Sequence, residues 1–216
     1  MTVDVYVLNL TFFDHLAALL ILPYKVKERA ISLKFKKVRI EYIASQWLRY
    51  KLLGVRLGIS VDNLNFSVTK TGRPYLINSD IDFNISHTEN YVVMAITKGQ
   101  KVGVDVQSKK HKVNVLAIAK QYFDKSEYQL IEAQQDIFKK QDIFYWLWAY
   151  KEASLKLTGE GIAYGLNRYI FELDENSLCL QSKSNKISYF HEKIDENTIM
   201  CVAIEKDKQK TTLHFL

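Results

Sequence analysis

The stretch TENYVVMAITK, residues 88–98, has a near copy late in the chain, DENTIMCVAIEK at 195–206. Both set a Glu-Asn pair ahead of an apolar, methionine-bearing run that closes on a polar residue and a lysine. Each reads as a turn feeding a buried hairpin strand. One short echo between hairpins is weak alone; the order around it adds weight. In each half a strand comes first, helices follow, and hairpin strands close the unit. The pattern predicts an α+β fold of two similar α/β halves related by a pseudo-twofold, each a small antiparallel sheet packed with helices. An N-terminal half of 1–104 and a C-terminal half of 105–216 place Asp105 at the junction, with a site in the groove between the halves.

Outward from the echo, VDVYVLNL (3–10) alternates like an opening strand, and FFDHLAALLILPYKVKERAISL (12–33) reads as helix interrupted by Pro23. In residues 36–58, Ile40, Ile43, Trp47, Tyr50 and Leu53 recur at helical spacing, with Gly54 or Gly58 as the stop. Strands FNISH, YVVMAIT and VGVDVQ follow, separated by turn signals. Helical patterns then run over 113–123, 126–134 and 142–158, with Gly159 as a stop, before short strands return from 168 onward.

Composition bounds the possibilities. A chain of 216 residues, 48% apolar and 25% charged, has room for a real core, and 8 Gly with 2 Pro leave no long flexible linker. Cys179 and Cys201 lie in apolar stretches and read as reduced core thiols. The run LAALLIL (16–22) is too short to span a bilayer and follows no basic segment, so a cytoplasmic protein without membrane association is expected. The net charge of +6 suits a polyanionic ligand or an acidic protein, and no nucleic-acid-binding motif accompanies it.

Three segments carry candidate chemistry. In GVDVQ (103–107), Gly103, Asp105 and Gln107 share one face and the valines the other. Glycine there admits a close approach, and a strand carboxylate beside such a gap suits a hard cation; a solvent-facing edge aspartate fits this segment too. In WLWAYKEASLK (146–156), Trp148, Glu152 and Lys156 form one stripe of a helix whose FYWLWAY run is apolar enough to be buried. A buried charge needs a partner, which a cation shared with Asp105 supplies, while a surface Glu–Lys pair is the plain alternative. In FNISH (83–87), His87 ends a strand after Ser86, with Arg73 nearby in TGRP and basic residues in KFKKVR (34–39).

Taken together in order, these residues resemble the 4'-phosphopantetheinyl transferases, in the larger two-halved class that primes carrier proteins. The matching residues are Asn84, Ser86 and His87; Gly103, Val104, Asp105, Val106 and Gln107; and Trp148, Lys151, Glu152, Ala153, Lys156, Gly159 and Gly161, with Gly72 to Pro74 upstream. The resemblance implies transfer of the 4'-phosphopantetheine group of coenzyme A to a serine of an apo acyl or peptidyl carrier protein, releasing 3',5'-ADP. It implies Asp105 and Glu152 as ligands of Mg²⁺, or Mn²⁺, with Gln107 standing where many relatives carry Glu. Glu152 and Lys156 are the implied catalytic groups. Arg73, Pro74, Ser86, His87, Asp105, Lys151 and Lys156 are implied contacts of coenzyme A, and Lys34, Lys37 and Arg39 further phosphate contacts. The chain is expected to act as a monomer, its basic surface steering an acidic carrier protein. A coenzyme A-binding protein without turnover and a basic polyanion-binding module are the alternatives.

Overall fold

The computed structural model of the chain describes residues 2–110, 113–161, 165–174, 179–183, 186–205 and 210–216. Strand β1 (Thr2–Asn9) leads into helices α1 (His15–Leu20), α2 (Tyr24–Ser32) and α3 (Lys36–Leu57). A short hairpin, β2 (Phe66–Val68) and β3 (Pro74–Leu76), precedes a long one, β4 (Ile81–His87) and β5 (Tyr91–Lys98). The same order then recurs. Strand β6 (Val102–Ser108) is followed by helices α4 (Val115–Tyr122), α5 (Lys125–Glu132) and α6 (Ile137–Thr158). The short hairpin β7 (Phe171–Asp174) and β8 (Cys179–Ser182) precedes the long hairpin β9 (Ile187–Asp195) and β10 (Thr198–Glu205), and β11 (Lys210–Phe215) ends the chain.

The two sheets repeat the same arrangement, β1-β5-β4 and β6-β10-β9, so the expected echo is a true structural repeat. Two expectations need correction. The boundary at 104/105 falls inside β6, all of which belongs to the second sheet. The last strand does not stay with the C-terminal half: β11 lies parallel to β1 in the first sheet, with Val5 opposite Leu213. An uncovered β1 edge would expose a row of backbone N–H and C=O groups, and β11 covers it. Nothing in a six-residue strand pattern says which sheet edge it will join.

Local signals account for the helix ends. Asp14 caps α1 by accepting the N–H groups of Leu16 and Ala17, and Pro23 is the residue before α2. Gly58, not Gly54, closes α3 in the left-handed conformation, and Gly159 does the same for α6. Gly54 is buried inside α3. Cys201 is a free, buried thiol, whereas the Cys179 side chain lies outside the described residues. No helix among the described residues is long and apolar enough to cross a membrane.

The halves are joined by side chains. Val102, Val104 and Val106 enter an apolar layer with Val3, Val5 and Val93 of the first sheet and Val202 of the second. Their N–H groups point to the free edge of β6, where β4 meets them with alternate side chains. Asp82 accepts from Val102 N at 2.8 Å, Asn84 from Val104 N at 3.0 Å and Ser86 from Val106 N at 3.3 Å. This side-chain zipper does the work of a missing neighbouring strand. Arg73 fastens the same joint: its guanidinium donates to Asp82 Oδ2 at 2.5 Å, to Val102 O at 2.8 Å and to Leu157 O of α6 at 3.0 Å.

Helix α6 crosses β6 at Gly103, where a Cβ would sit 2.0 Å from Ala153 O and 2.4 Å from Leu157 N. The close approach allowed by this glycine is therefore filled by a helix. Gly103→Ala is expected to force α6 off the sheet and cost at least about 3 kcal/mol. Asn84→Ala, which strands one buried N–H, is expected to cost about 1–3 kcal/mol. Urea unfolding of both variants against the parent chain measures the two costs.

Candidate active site

Strand alternation and the zipper decide what reaches the groove. On β4, Phe83 faces the α3 core, so Asp82, Asn84 and Ser86 face β6. His87, on the other side from Ser86, reaches toward α3, with Nδ1 3.9 Å from Glu41 Oε2. On β6, the face opposite the valines carries Gly103, Asp105 and Gln107. Because α6 touches the backbone at Gly103, Glu152 and Lys156, one turn apart on a single stripe of the helix, overlook Asp105.

Asp105 is buried and fully engaged. Its Oδ1 accepts from Lys156 Nζ at 2.6 Å and from Ser86 Oγ at 2.9 Å, while Gln107 Nε2 donates to Oδ2 at 2.6 Å. Lys156 Nζ also donates to Ser86 Oγ at 2.9 Å, closing a triangle of charge-assisted bonds. Glu152 is also buried, at 6% exposure, yet no hydrogen bond from a described residue contributes to holding its charge. Burial pushes its carboxyl up to about 7, the neighbouring Asp105 charge adds to the rise, and Lys156 opposes it. Two buried carboxylates share one ammonium, so the cluster is short of positive charge.

That deficit is what a hard cation corrects, and carboxylate oxygen is the donor type such a cation takes. Asp105 and Glu152 fit that role, and Gln107 would have to turn its amide oxygen inward to join them. Among the described residues no cluster of three His, Cys, Asp or Glu side chains forms, so remaining positions fall to water and ligand oxygens. A cavity of about 170 Å³ opens on the Asp105 and Gln107 side of the cluster, lined by Ser86, His87, Glu89, Asp105 and Gln107 but not by Glu152 or Lys156. A larger cavity of about 700 Å³ lies along the β9 side of α6, lined by Trp146, Tyr150 and His191 among others. It contains neither Asp105 nor Glu152, and its Asp142 is already neutralised by Lys109 at 2.7 Å.

The structure brings Asp105, Glu152, Lys156, Ser86, His87 and Gln107 into one neighbourhood. Pro74 opens β3, next in the chain to Arg73. Three other expected contacts are placed differently. Lys151 is fully buried on the far side of α6, paired with Glu127 at 2.7 Å and donating to the carbonyls of Leu166 and Tyr169. A helix turns about 100° per residue, so the neighbour of Glu152 faces the C-terminal core. The Arg73 guanidinium is spent on the joint between the halves. Arg39 donates to Leu33 O at 2.8 Å and 3.1 Å, whereas Lys34 and Lys37 are exposed.

Two residues escaped the sequence reading. Asp82 completes the alternating Asp-x-Asn-x-Ser acceptor row of β4. Glu127 caps α5 with Asp124 and accepts from Phe171 N at 2.9 Å while holding Lys151. The Asp124-x-x-Glu127 spacing is a capping-box signal, and it was legible.

Family profiles match nearly the whole chain. The profile described as the 4'-phosphopantetheinyl transferase superfamily covers residues 101–209, and one described as 4'-phosphopantetheinyl transferase, N-terminal, covers 11–99. The chain is 32% identical over 139 residues to 4'-phosphopantetheinyl transferase HetI of Nostoc sp., covering 62% of this chain and 58% of that protein. It is 28% identical over 203 residues to the L-aminoadipate-semialdehyde dehydrogenase-phosphopantetheinyl transferase of Mus musculus, covering 83% and 66% respectively. With the 4'-phosphopantetheinyl transferase of Bacillus subtilis it shares 31% identity over 120 residues, 55% of this chain and 52% of the other. These alignments span between about half and two thirds of the relatives' lengths.

The raised Glu152 carboxyl has a consequence for stability. Between pH 4.5, its ordinary value, and about 7, the folded chain holds a proton that the unfolded chain has released. Stability therefore falls as pH rises through that window, with the full cost present above about 7. Glu152→Gln is expected to gain about 2 kcal/mol over the parent chain at pH 8, after allowance for partial solvent access, and nothing at pH 4. Mg²⁺ is expected to raise the melting temperature of the parent chain at pH 8 and leave that of the variant unchanged. Thermal melts across pH, with and without the ion, measure both effects.

Proposed function

The chain belongs to the 4'-phosphopantetheinyl transferase superfamily, and from that premise we propose that it transfers the 4'-phosphopantetheine group of coenzyme A to a serine of an acyl or peptidyl carrier protein. The observation that carries the reading is the meeting of Asp105 and Glu152 beside Lys156 at the junction of two sheets. Their carboxylates are remote in sequence, buried, and short of one counter-charge.

In the proposed reaction the serine oxygen bonds to the β-phosphorus of coenzyme A, the bond from that phosphorus to the bridging pyrophosphate oxygen breaks, and 3',5'-ADP leaves. Asp105 and Glu152 would hold Mg²⁺, or Mn²⁺; when bound, the ion neutralises pyrophosphate charge and orients its oxygens. Glu152 takes the serine proton, directly or through water; a carboxyl near 7 is matched to that work at neutral pH. Lys156 needs only a small shift to leave Asp105 for a phosphate oxygen, exchanging one anionic partner for another. Ser86 and His87 border the small cavity and would meet the nucleotide end there, with the exposed Lys34 and Lys37 proposed as outer phosphate contacts. Lys151 and Arg73 act from behind, by holding α6 and the strand joint. The chain is proposed to work in the cytoplasm as a monomer, since both halves of the groove come from one polypeptide.

One observation favours a second reading, a coenzyme A-binding protein without turnover. Gln107 supplies no charge and spends its amide on Asp105 at 2.6 Å. Incubating the protein with coenzyme A, Mg²⁺ and an apo carrier protein separates the two: transfer adds the mass of one phosphopantetheine group to the carrier. Glu152→Gln is expected to lower kcat by about 10²–10⁴ while coenzyme A still binds. An unmodified carrier in the presence of bound coenzyme A would favour the second reading. Gln107→Glu, by adding a third carboxylate, is expected to lower the half-saturating Mg²⁺ concentration, read from a metal titration at fixed coenzyme A.

A further inference from the structure

The larger cavity, of about 700 Å³, takes no part in the transfer reading. Its volume falls within the range of about 300–1,000 Å³ that pockets for small ligands occupy. Three elements build it. Helix α6 presents Lys139, Ile143, Trp146 and Tyr150, which step by four, three and four residues along one stripe. A second wall comes from Leu173 of β7 and Leu180 of β8, direct cross-strand partners whose side chains leave the hairpin on one face. The third is β9, where His191 and Lys193, two positions apart, share a face.

The walls are apolar and the rim is charged. Ile143, Trp146, Leu173 and Leu180 are half-buried, while Lys139, His191 and Lys193 are exposed. Tyr150 is buried, and its phenol meets His191 Nδ1 at 2.6 Å, with the Trp146 ring edge-on to the imidazole at 5.3 Å. These contacts fix the ring. When Nδ1 accepts the phenol proton, the ring's own proton lies on Nε2, a donor with no partner among the described residues. Neither Lys139 nor Lys193 pairs with an acid among the described residues. Of the polar groups that remain, Asp142 is held by Lys109, Gln134 donates to Leu130 O at 3.1 Å, and Glu192 accepts the N–H of Lys193 at 3.1 Å. Two free ammonium groups therefore face one free carboxylate. That surplus matches a single negative charge, whereas a pyrophosphate or a nucleic-acid backbone asks for more.

We propose that this cavity binds a small apolar monocarboxylate, the chemical class of the medium-chain fatty acids. The chain lies against α6 and the β7–β8 hairpin, and the carboxylate turns toward His191 Nε2 and the two lysines. Burial of the chain supplies most of the affinity, and the charged rim fixes which end points outward. The site is separate from Asp105 and Glu152, neither of which lines it, and it does not rest on the transfer reading.

The test is calorimetric titration of the full chain with decanoate below its micelle-forming concentration, with neither coenzyme A nor a carrier protein present. One saturable site is expected, and decylamine, the same chain with the opposite charge, is expected to bind at least about tenfold more weakly. Lys139→Glu combined with Lys193→Glu, both exposed, is expected to raise the dissociation constant for decanoate at least about tenfold and leave the melting temperature unchanged. Ile143→Trp, which fills the cavity from the helix side, is expected to abolish binding. The absence of saturable heat in the parent chain overturns the proposal, and so does equal affinity in the parent and both variants, or a preference for decylamine. A parent chain that sediments as a dimer, dissociates on charge reversal and binds no decanoate also overturns it, in favour of a second copy over this face. Because the titration involves no turnover, its failure leaves the transfer reading standing, and failure of transfer leaves this site standing.

Discussion

The structure turns on an exposed strand edge that cannot be left open. Strand β6 pairs with β10 on one side, and its other side presents buried N–H groups with no strand to receive them. Each such group, if orphaned, costs on the order of 1–3 kcal/mol. The acceptors come from the side chains of β4, at the spacing of two that a strand imposes. A polar face on β4 is thus a requirement of the joint, and it dictates where Ser86 stands. The same residue that accepts Val106 N also donates to Asp105, so the joint and the site share an atom.

A second constraint is steric. Only at a residue without Cβ does α6 approach β6 closely enough for its carbonyls to touch the strand. Two positions along that strand is Asp105, and beside the contacting Ala153, on one stripe of the helix, are Glu152 and Lys156. The approach that brings the two carboxylates within electrostatic reach of each other depends on the glycine. Burial then holds the Glu152 carboxyl near 7, with the neighbouring Asp105 charge adding to the rise and the one shared ammonium opposing it. The interior of α6 is anchored independently by Lys151 and Glu127, both fully buried, where burial pulls each toward its neutral form and the pair opposes it. Such a pair adds little net stability, but breaking it would free the helix to roll.

Much of the candidate site was legible as residues that the fold brings together. Asp105, Glu152, Lys156, Ser86 and His87 were each picked out by residue type and by the company they keep, and all five fall in one neighbourhood. The misreadings share a cause. Lys151 and Arg73 look like phosphate ligands because both are cationic and adjacent to motif residues, yet their charges are consumed internally. Adjacency in sequence is no guide to direction on a helix, where one step swings a side chain by about 100°. Asp82 and Glu127 were overlooked for the converse reason: beyond the local capping box of Glu127, each joins distant segments, Asp82 through Arg73 and Val102 N and Glu127 through Lys151 and Phe171 N.

The periodicities, the repeated strand-helix-hairpin order and the glycine stops determined the elements and their approximate ends, because these depend on interactions within a few residues. The choice of sheet edge for β11, the zipper between β4 and β6, and the facing of Asp105 toward Glu152 were decided by tertiary structure alone. Those outcomes depend on which unsatisfied hydrogen-bonding groups and which apolar faces meet once the chain has collapsed, and no local pattern encodes that meeting.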